Sequence, residues 1–180
     1  SNYGMGGVYV GTTVDADTKE VTYGGSVFTQ RLLGKMRRVP LNKDMPEKCE
    51  LGNANIMWVS NNVVTTIGIL SKGYVHGMAD YDYTMKAVKS NLPVLVMPGI
   101  NGECINDHGD VYEKFVSFSF KDRISFLFSP IGLDFKSQLY HMKKHFPVRL
   151  PVFYLMGWFK VIFPNIYYRK IYKSRVDSSN

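Results

Sequence analysis

Gly52-Asn53-Ala54-Asn55-Ile56-Met57-Trp58-Val59-Ser60, then Ile67-Gly68, then His76-Gly77-Met78-Ala79-Asp80-Tyr81-Asp82-Tyr83, is the stretch whose reading decides the expected fold. A turn of small residues leads into an apolar run at 55–60, read as a buried strand with Trp58 in the core. Asn61-Asn62-Val63-Val64 opens a short helix that Gly68 ends. A glycine-bearing loop then delivers Asp80 and Asp82 to the start of a helix over residues 80–91. Asp80 reads as its N-cap, where the helix dipole favours acids. The two aspartates lie roughly 200° apart around such a helix, so both cannot face one site.

Working outward, residues 7–14 read as a strand and 20–23 as its partner. Asp15-Ala16-Asp17-Thr18-Lys19 supplies the turn between them, and Gly24-Gly25 punctuates the end. Residues 34–50 are polar and proline-marked, hence a surface loop. Pro93-Val94-Leu95-Val96-Met97 is short and apolar, an interior strand. Residues 110–128 and 135–146 read as helices, followed by helical runs broken at Pro147, Pro151 and Pro164. Strands alternating with helices imply an α/β class with parallel pairing. The expected division is a main domain at 1–134 and a helical tail at 135–180.

At 180 residues, with 45% hydrophobic and 21% charged content, the chain is a folded protein and not a disordered one. Cys49 and Cys104 have no metal-ligand spacing and suggest no disulfide framework, so a reducing compartment is expected. Ser1-Asn2 lacks a secretion signal and an initiating methionine, and reads as the start of an engineered fragment. The net charge of +7 is uneven. Residues 135–176 hold nine Lys/Arg and no Asp or Glu, whereas residues 1–134 are close to neutral. Any anionic partner belongs at the tail.

The small-residue turn, strand, short helix and glycine loop, and then Ala79-Asp80-Tyr81-Asp82-Tyr83 with Lys86, together resemble the acceptor half of the family 2 glycosyltransferases. The likeness covers roughly residues 8–135, and it rests on the order and spacing of these motifs. It implies a partial glycosyltransferase A-type fold, a mixed sheet with flanking helices, lacking most of the nucleotide-binding half. It further implies inverting transfer of a sugar from a nucleoside diphosphate donor to a hydroxyl on a polysaccharide or lipid-linked acceptor, as in cell-envelope biosynthesis. Asp80 would be the catalytic base, a role typically worth ~10²–10⁴-fold. Gly52, Asn53, Ala54, His76, Gly77 and Asp82 would border the acceptor. A divalent metal, Mg or Mn, would serve the complete enzyme, although these residues show no assigned ligand.

The pattern also departs from the family's. Ala79 stands where a leading acid is common. Cys104 falls where many members place a histidine, with His108 a turn later; a buried thiol and a surface histidine are the ordinary readings of the two. Asp15-Ala16-Asp17 matches the text of the family's Asp-x-Asp metal motif. Only fourteen residues precede it, too few for the βα units of a nucleotide site, which need about 30 residues each. A tight turn is the expectation there, and the donor half is expected to lie outside these residues, leaving them inactive alone. The alternative from another class is a non-catalytic binding or membrane-docking module whose Asp80 only caps a helix.

The tail reads Leu-Pro-Val-Phe-Tyr-Leu-Met-Gly-Trp-Phe-Lys-Val-Ile-Phe over 150–163, with Tyr167, Tyr168 and Tyr172 among basic residues beyond. It is too short and too broken to span ~30 Å of hydrocarbon. Aromatics beside Lys/Arg suit an anionic membrane surface, expected at the inner face of the plasma membrane of a cytoplasmic protein. The other reading is packing on the domain or on a second copy in a homo-oligomer. Nucleic acid ranks last, because no binding module accompanies the basic stretch.

Overall fold

Val8 and Val10 are fully buried at the middle of a four-stranded sheet, and the alternation of their strand sets the first core. The computed structural model describes residues 6–105 and 111–173. The chain is mixed α/β and divides into two compact units: Ser1–Lys72 with Met78–Asp107, and Gly73–Gly77 with His108–Asn180. The expected division after residue 134 falls inside the second unit, because Phe115 and Leu127 share one core with Phe135 and Val161.

In the first unit the strands are β1 (Val8–Val10), β2 (Thr13–Val14), β3 (Val21–Tyr23), β4 (Gly25–Gln30), β5 (Lys35–Arg38), β6 (Glu47–Lys48), β7 (Leu51–Gly52), β8 (Met57–Val59), β9 (Val94–Val96) and β10 (Gly102–Glu103). They form three small sheets, ordered β6-β9-β1-β8, β10-β2-β3 and β5-β4-β7. Pairing is mixed and not simply parallel. β9 runs parallel to β1, whereas β8 is antiparallel to β1 and β6 to β9. The helices α1 (Asn61–Ile67) and α2 (Ala79–Lys89) bury Val63, Tyr83 and Ala87 against the valines of β1 and β9.

Several expectations are met here. Gly68 ends α1 at φ 73°, β9 is buried throughout, and β3 pairs antiparallel with β2. Others are corrected. Residues 7–14 form two strands in two different sheets, and the intervening Thr12 N–H donates to Asn101 Oδ1 at 2.8 Å. The polar stretch at 34–50 contains β5 and β6; β5 is exposed, and pairing with β4 compensates for its basic composition. Trp58 is 75% exposed, not core. β8 is an edge strand, and alternation turns Met57 to the core and Trp58 outward. Helix α2 begins at Ala79, behind Met78 at φ 69°, so Asp80 is a first-turn acid and not the N-cap.

The second unit is helical: α3 (Val111–Ser117), α4 (Phe120–Phe128), α5 (Phe135–His145), a 3-10 turn at Pro147–Arg149, α6 (Leu150–Ile162), α7 (Pro164–Ile166) and a π-helical stretch at Tyr167–Tyr172. The helix expected at 110–128 is two helices, because Ser119 caps α4 by accepting the Asp122 N–H at 3.2 Å. Pro151 does not break α6. It sits in the first turn, where its missing N–H has no helical partner to lose. Gly157 lets α6 approach α5, since a Cβ there would lie 2.3 Å from Phe135 Cζ. Among the described residues no helix is long and apolar enough to cross a membrane.

Candidate active site

Gly52, Asn53 and Ala54 end β7 in a turn that packs against the first turns of α2. Gly52 is buried, and a Cβ on it would lie 2.5 Å from Val10 Cγ2 and 3.0 Å from Thr84 Cγ2. Its N–H donates to Thr84 Oγ1 at 3.1 Å. Asn53 closes the turn by accepting the Asn55 N–H on Oδ1 at 2.9 Å. The Ala54 N–H then donates to Asp80 Oδ2 at 3.1 Å. Two segments 26 residues apart, picked out separately in the sequence, therefore meet through one carboxylate.

Asp80 is half-buried. Its other oxygen, Oδ1, accepts the Tyr81 N–H at 2.8 Å, satisfying a helix-end donor that has no intrahelical acceptor. Burial raises its pKa above the ordinary carboxylate value of 3.8, and the backbone N–H bonds from Tyr81 and Ala54 pull it part of the way back. Tyr81 is raised as well, first by burial and then by the Asp80 charge, with Arg38 opposing. Arg38 was read only as part of a surface loop. Its guanidinium donates to the carbonyls of Val21 and Thr22 and is the cation that acts on Tyr81. No spacing in the sequence joins residues 38 and 81, so nothing in it pointed to that pairing.

Asp82 is withdrawn from the proposed acceptor surface. It is 0% exposed, and its Oδ2 accepts from Ser71 Oγ at 2.6 Å. The 200° separation along α2 turns Asp80 toward the 52–54 turn and Asp82 inward. Lys86 lies 5.6 Å over the Tyr83 ring and donates to the Ile69 carbonyl at 3.3 Å. His76 and Gly77 belong to the second unit. His76 is exposed there, and the Gly77 N–H donates to Asp134 Oδ2 at 2.8 Å. Asp134, at φ 40° before α5, was not singled out in the sequence. The neighbouring Val75 N–H donates to Ser137 Oγ at 2.9 Å, so residues 75–77 are held along α5.

Cys104 is half-buried and accepts from Asn55 Nδ2 at 3.1 Å, one residue beyond the Ala54–Asp80 bond. His108 lies outside the described residues. Cys49 is buried, and its thiol pKa is pushed up to about 12 by burial and by the Glu50 charge. At the Asp-x-Asp text, Asp15 Oδ1 accepts the N–H groups of Asp17 and Thr18 at 3.0 and 2.9 Å, which is a tight turn. Asp80 and Asp15 thus both direct oxygens to backbone N–H groups. Among the described residues no group of three His, Cys, Asp or Glu side chains is placed to hold a metal ion.

No known family model matches the chain, and neither a curated protein nor a solved structure is significantly similar to it.

Proposed function

We propose that this chain forms the acceptor side of an inverting glycosyl-transfer site, with Asp80 as general base. In that reaction the acceptor hydroxyl gives its proton to the Asp80 carboxylate as its oxygen bonds to the anomeric carbon. The bond from that carbon to the nucleoside diphosphate breaks, and the diphosphate leaves with the electron pair. The observation that carries this reading is the junction of Asp80 with the Gly52-Asn53-Ala54 turn through the Ala54 N–H. Asp80 is half-buried beside that turn, whose Gly52 packs on Val10 and Thr84. Its raised pKa makes that carboxylate a stronger base than an exposed aspartate.

Further support comes from the mixed sheet of β6, β9, β1 and β8 with α1 and α2 packed on it, an arrangement compatible with part of a glycosyltransferase A-type fold.

The test is Asp80→Asn in the complete enzyme, assayed with a nucleotide sugar and a glycan or lipid-linked acceptor. The expected loss in kcat is about 10²–10⁴-fold with donor affinity and far-UV circular dichroism unchanged. Because only the ionised carboxylate accepts a proton, wild-type activity should rise with pH as Asp80 deprotonates. Burial moves that limb to higher pH than 3.8. Wild-type turnover in Asp80→Asn removes the assignment.

One observation favours a second reading, a binding module in which Asp80 is only a brace: both of its oxygens already accept backbone N–H bonds. On that reading Asp80→Asn lowers stability and leaves any transfer rate of the folded fraction untouched.

A further inference from the structure

Helix α6 is apolar on two opposite faces, and only one of them is packed. The inner face is accounted for: Gly157 and Val161 are buried, and Phe153 stacks on Phe135 with ring centroids 5.7 Å apart. The opposite face of α6 carries Val152, Leu155 and Ile162, which helical spacing keeps on one stripe; Val148 in the 3-10 turn before the helix and Ile166 in α7, beyond the break at Phe163, are apolar as well. All five are exposed, Val148 at 89% and Leu155 at 66%. A helix on a water-facing surface carries polar residues at such positions.

Charge identifies what covers the stripe. Residues 135–173 contain eight Lys/Arg and no Asp or Glu. Lys136, Lys143, Lys144, Arg169, Lys170 and Lys173 are exposed. A second copy would add eight more positive charges and no acid from the same segment. An anionic lipid surface offers hydrocarbon for the stripe and phosphate for the bases together. With 13 residues, α6 is about 20 Å long, short of the ~30 Å hydrocarbon core, so it would lie in the interface plane. Leu139, Tyr140, Lys143, Leu150, Pro151 and Tyr154 line a shallow, almost wholly apolar groove beside the stripe, with Lys143 the one charged group in it.

We infer that the exposed stripe of α6 is a docking face for an anionic membrane surface, seated with the helix parallel to the bilayer and held by the exposed lysines and arginines of the same basic segment. The inference stands on the second unit alone and is independent of any role for Asp80.

The experiment is flotation of the 180-residue protein with vesicles of phosphatidylcholine alone and of phosphatidylcholine mixed with phosphatidylglycerol. The protein is expected to float with the anionic vesicles, to stay behind with the neutral ones, and to be released by salt. Val152→Asp with Leu155→Asp should lower the bound fraction at least about tenfold, with circular dichroism unchanged. A separate variant, Arg169→Glu with Lys173→Glu, leaves the stripe intact and should weaken binding to anionic vesicles only. Folded wild type that ignores anionic vesicles, or that binds neutral ones equally, overturns the proposal. A wild-type dimer in sedimentation that Leu155→Asp dissociates overturns it too, assigning the stripe to a second copy.

Discussion

Asp80 is held by two influences that act on its proton in opposite directions. Partial burial favours the neutral acid, and the N–H groups of Ala54 and Tyr81 favour the carboxylate; burial is the larger. Asp82, two positions on, is buried entirely and meets Ser71, so a pair that looks equivalent in the sequence has one member facing the 52–54 turn and one facing the core. The two cysteines differ in the same way. With a pKa of about 12, the Cys49 thiol is ionised to only about one part in 10⁴ at pH 8, whereas Cys104 is half-buried at the Asn55 amide. Titration of the native protein with a chromogenic disulfide should therefore show one thiol reacting, and a second only after denaturant is added. Two thiols reacting at similar rates in the native state would contradict the burial of Cys49.

Among the elements, α6 shows how position inside a helix outweighs residue identity. Pro151 reads as a breaker, but in the first turn its missing N–H costs no intrahelical bond, and the helix continues to Ile162. Gly157 in the same helix would ordinarily be a weakness of about 1 kcal/mol relative to alanine. Here it is required, because a Cβ would press on the Phe135 ring, which is stacked on Phe153. Gly157→Ala should lower stability by about 1–3 kcal/mol, the usual cost of overpacking, despite its better helix propensity. Thermal unfolding followed by circular dichroism checks this, and a raised midpoint would mean that Phe135 moves aside without cost. The strands β5 and β6 carry the complementary lesson. Their polar sequences look like loop, and pairing with β4 and β9 makes them strands.

On the scale of the whole molecule, two units have separate cores, one around Val8, Val10 and Val94, the other around Phe115, Leu127 and Phe135. Leu127→Ala should cost about 2–5 kcal/mol, and the loss should be confined to the helical unit. Amide hydrogen exchange would then speed up in α5 and α6 while β1 and β9 keep their protection; equal acceleration in both would show a single cooperative core. The sequence by itself determined the features that depend on neighbours along the chain: the Asx turn at Asp15, the end of α1 at Gly68, the apolar strand at 94–96 and the basic tail. Alternation, turn chemistry and composition are local properties, so they can be read without coordinates. Tertiary structure alone decided that Trp58 faces out, that Asp82 faces in, that Asp80 meets Ala54 and that α6 keeps a bare apolar stripe. Each of those depends on which face of an element is covered by residues far away in the sequence, and covering is a property of packing that no local pattern encodes.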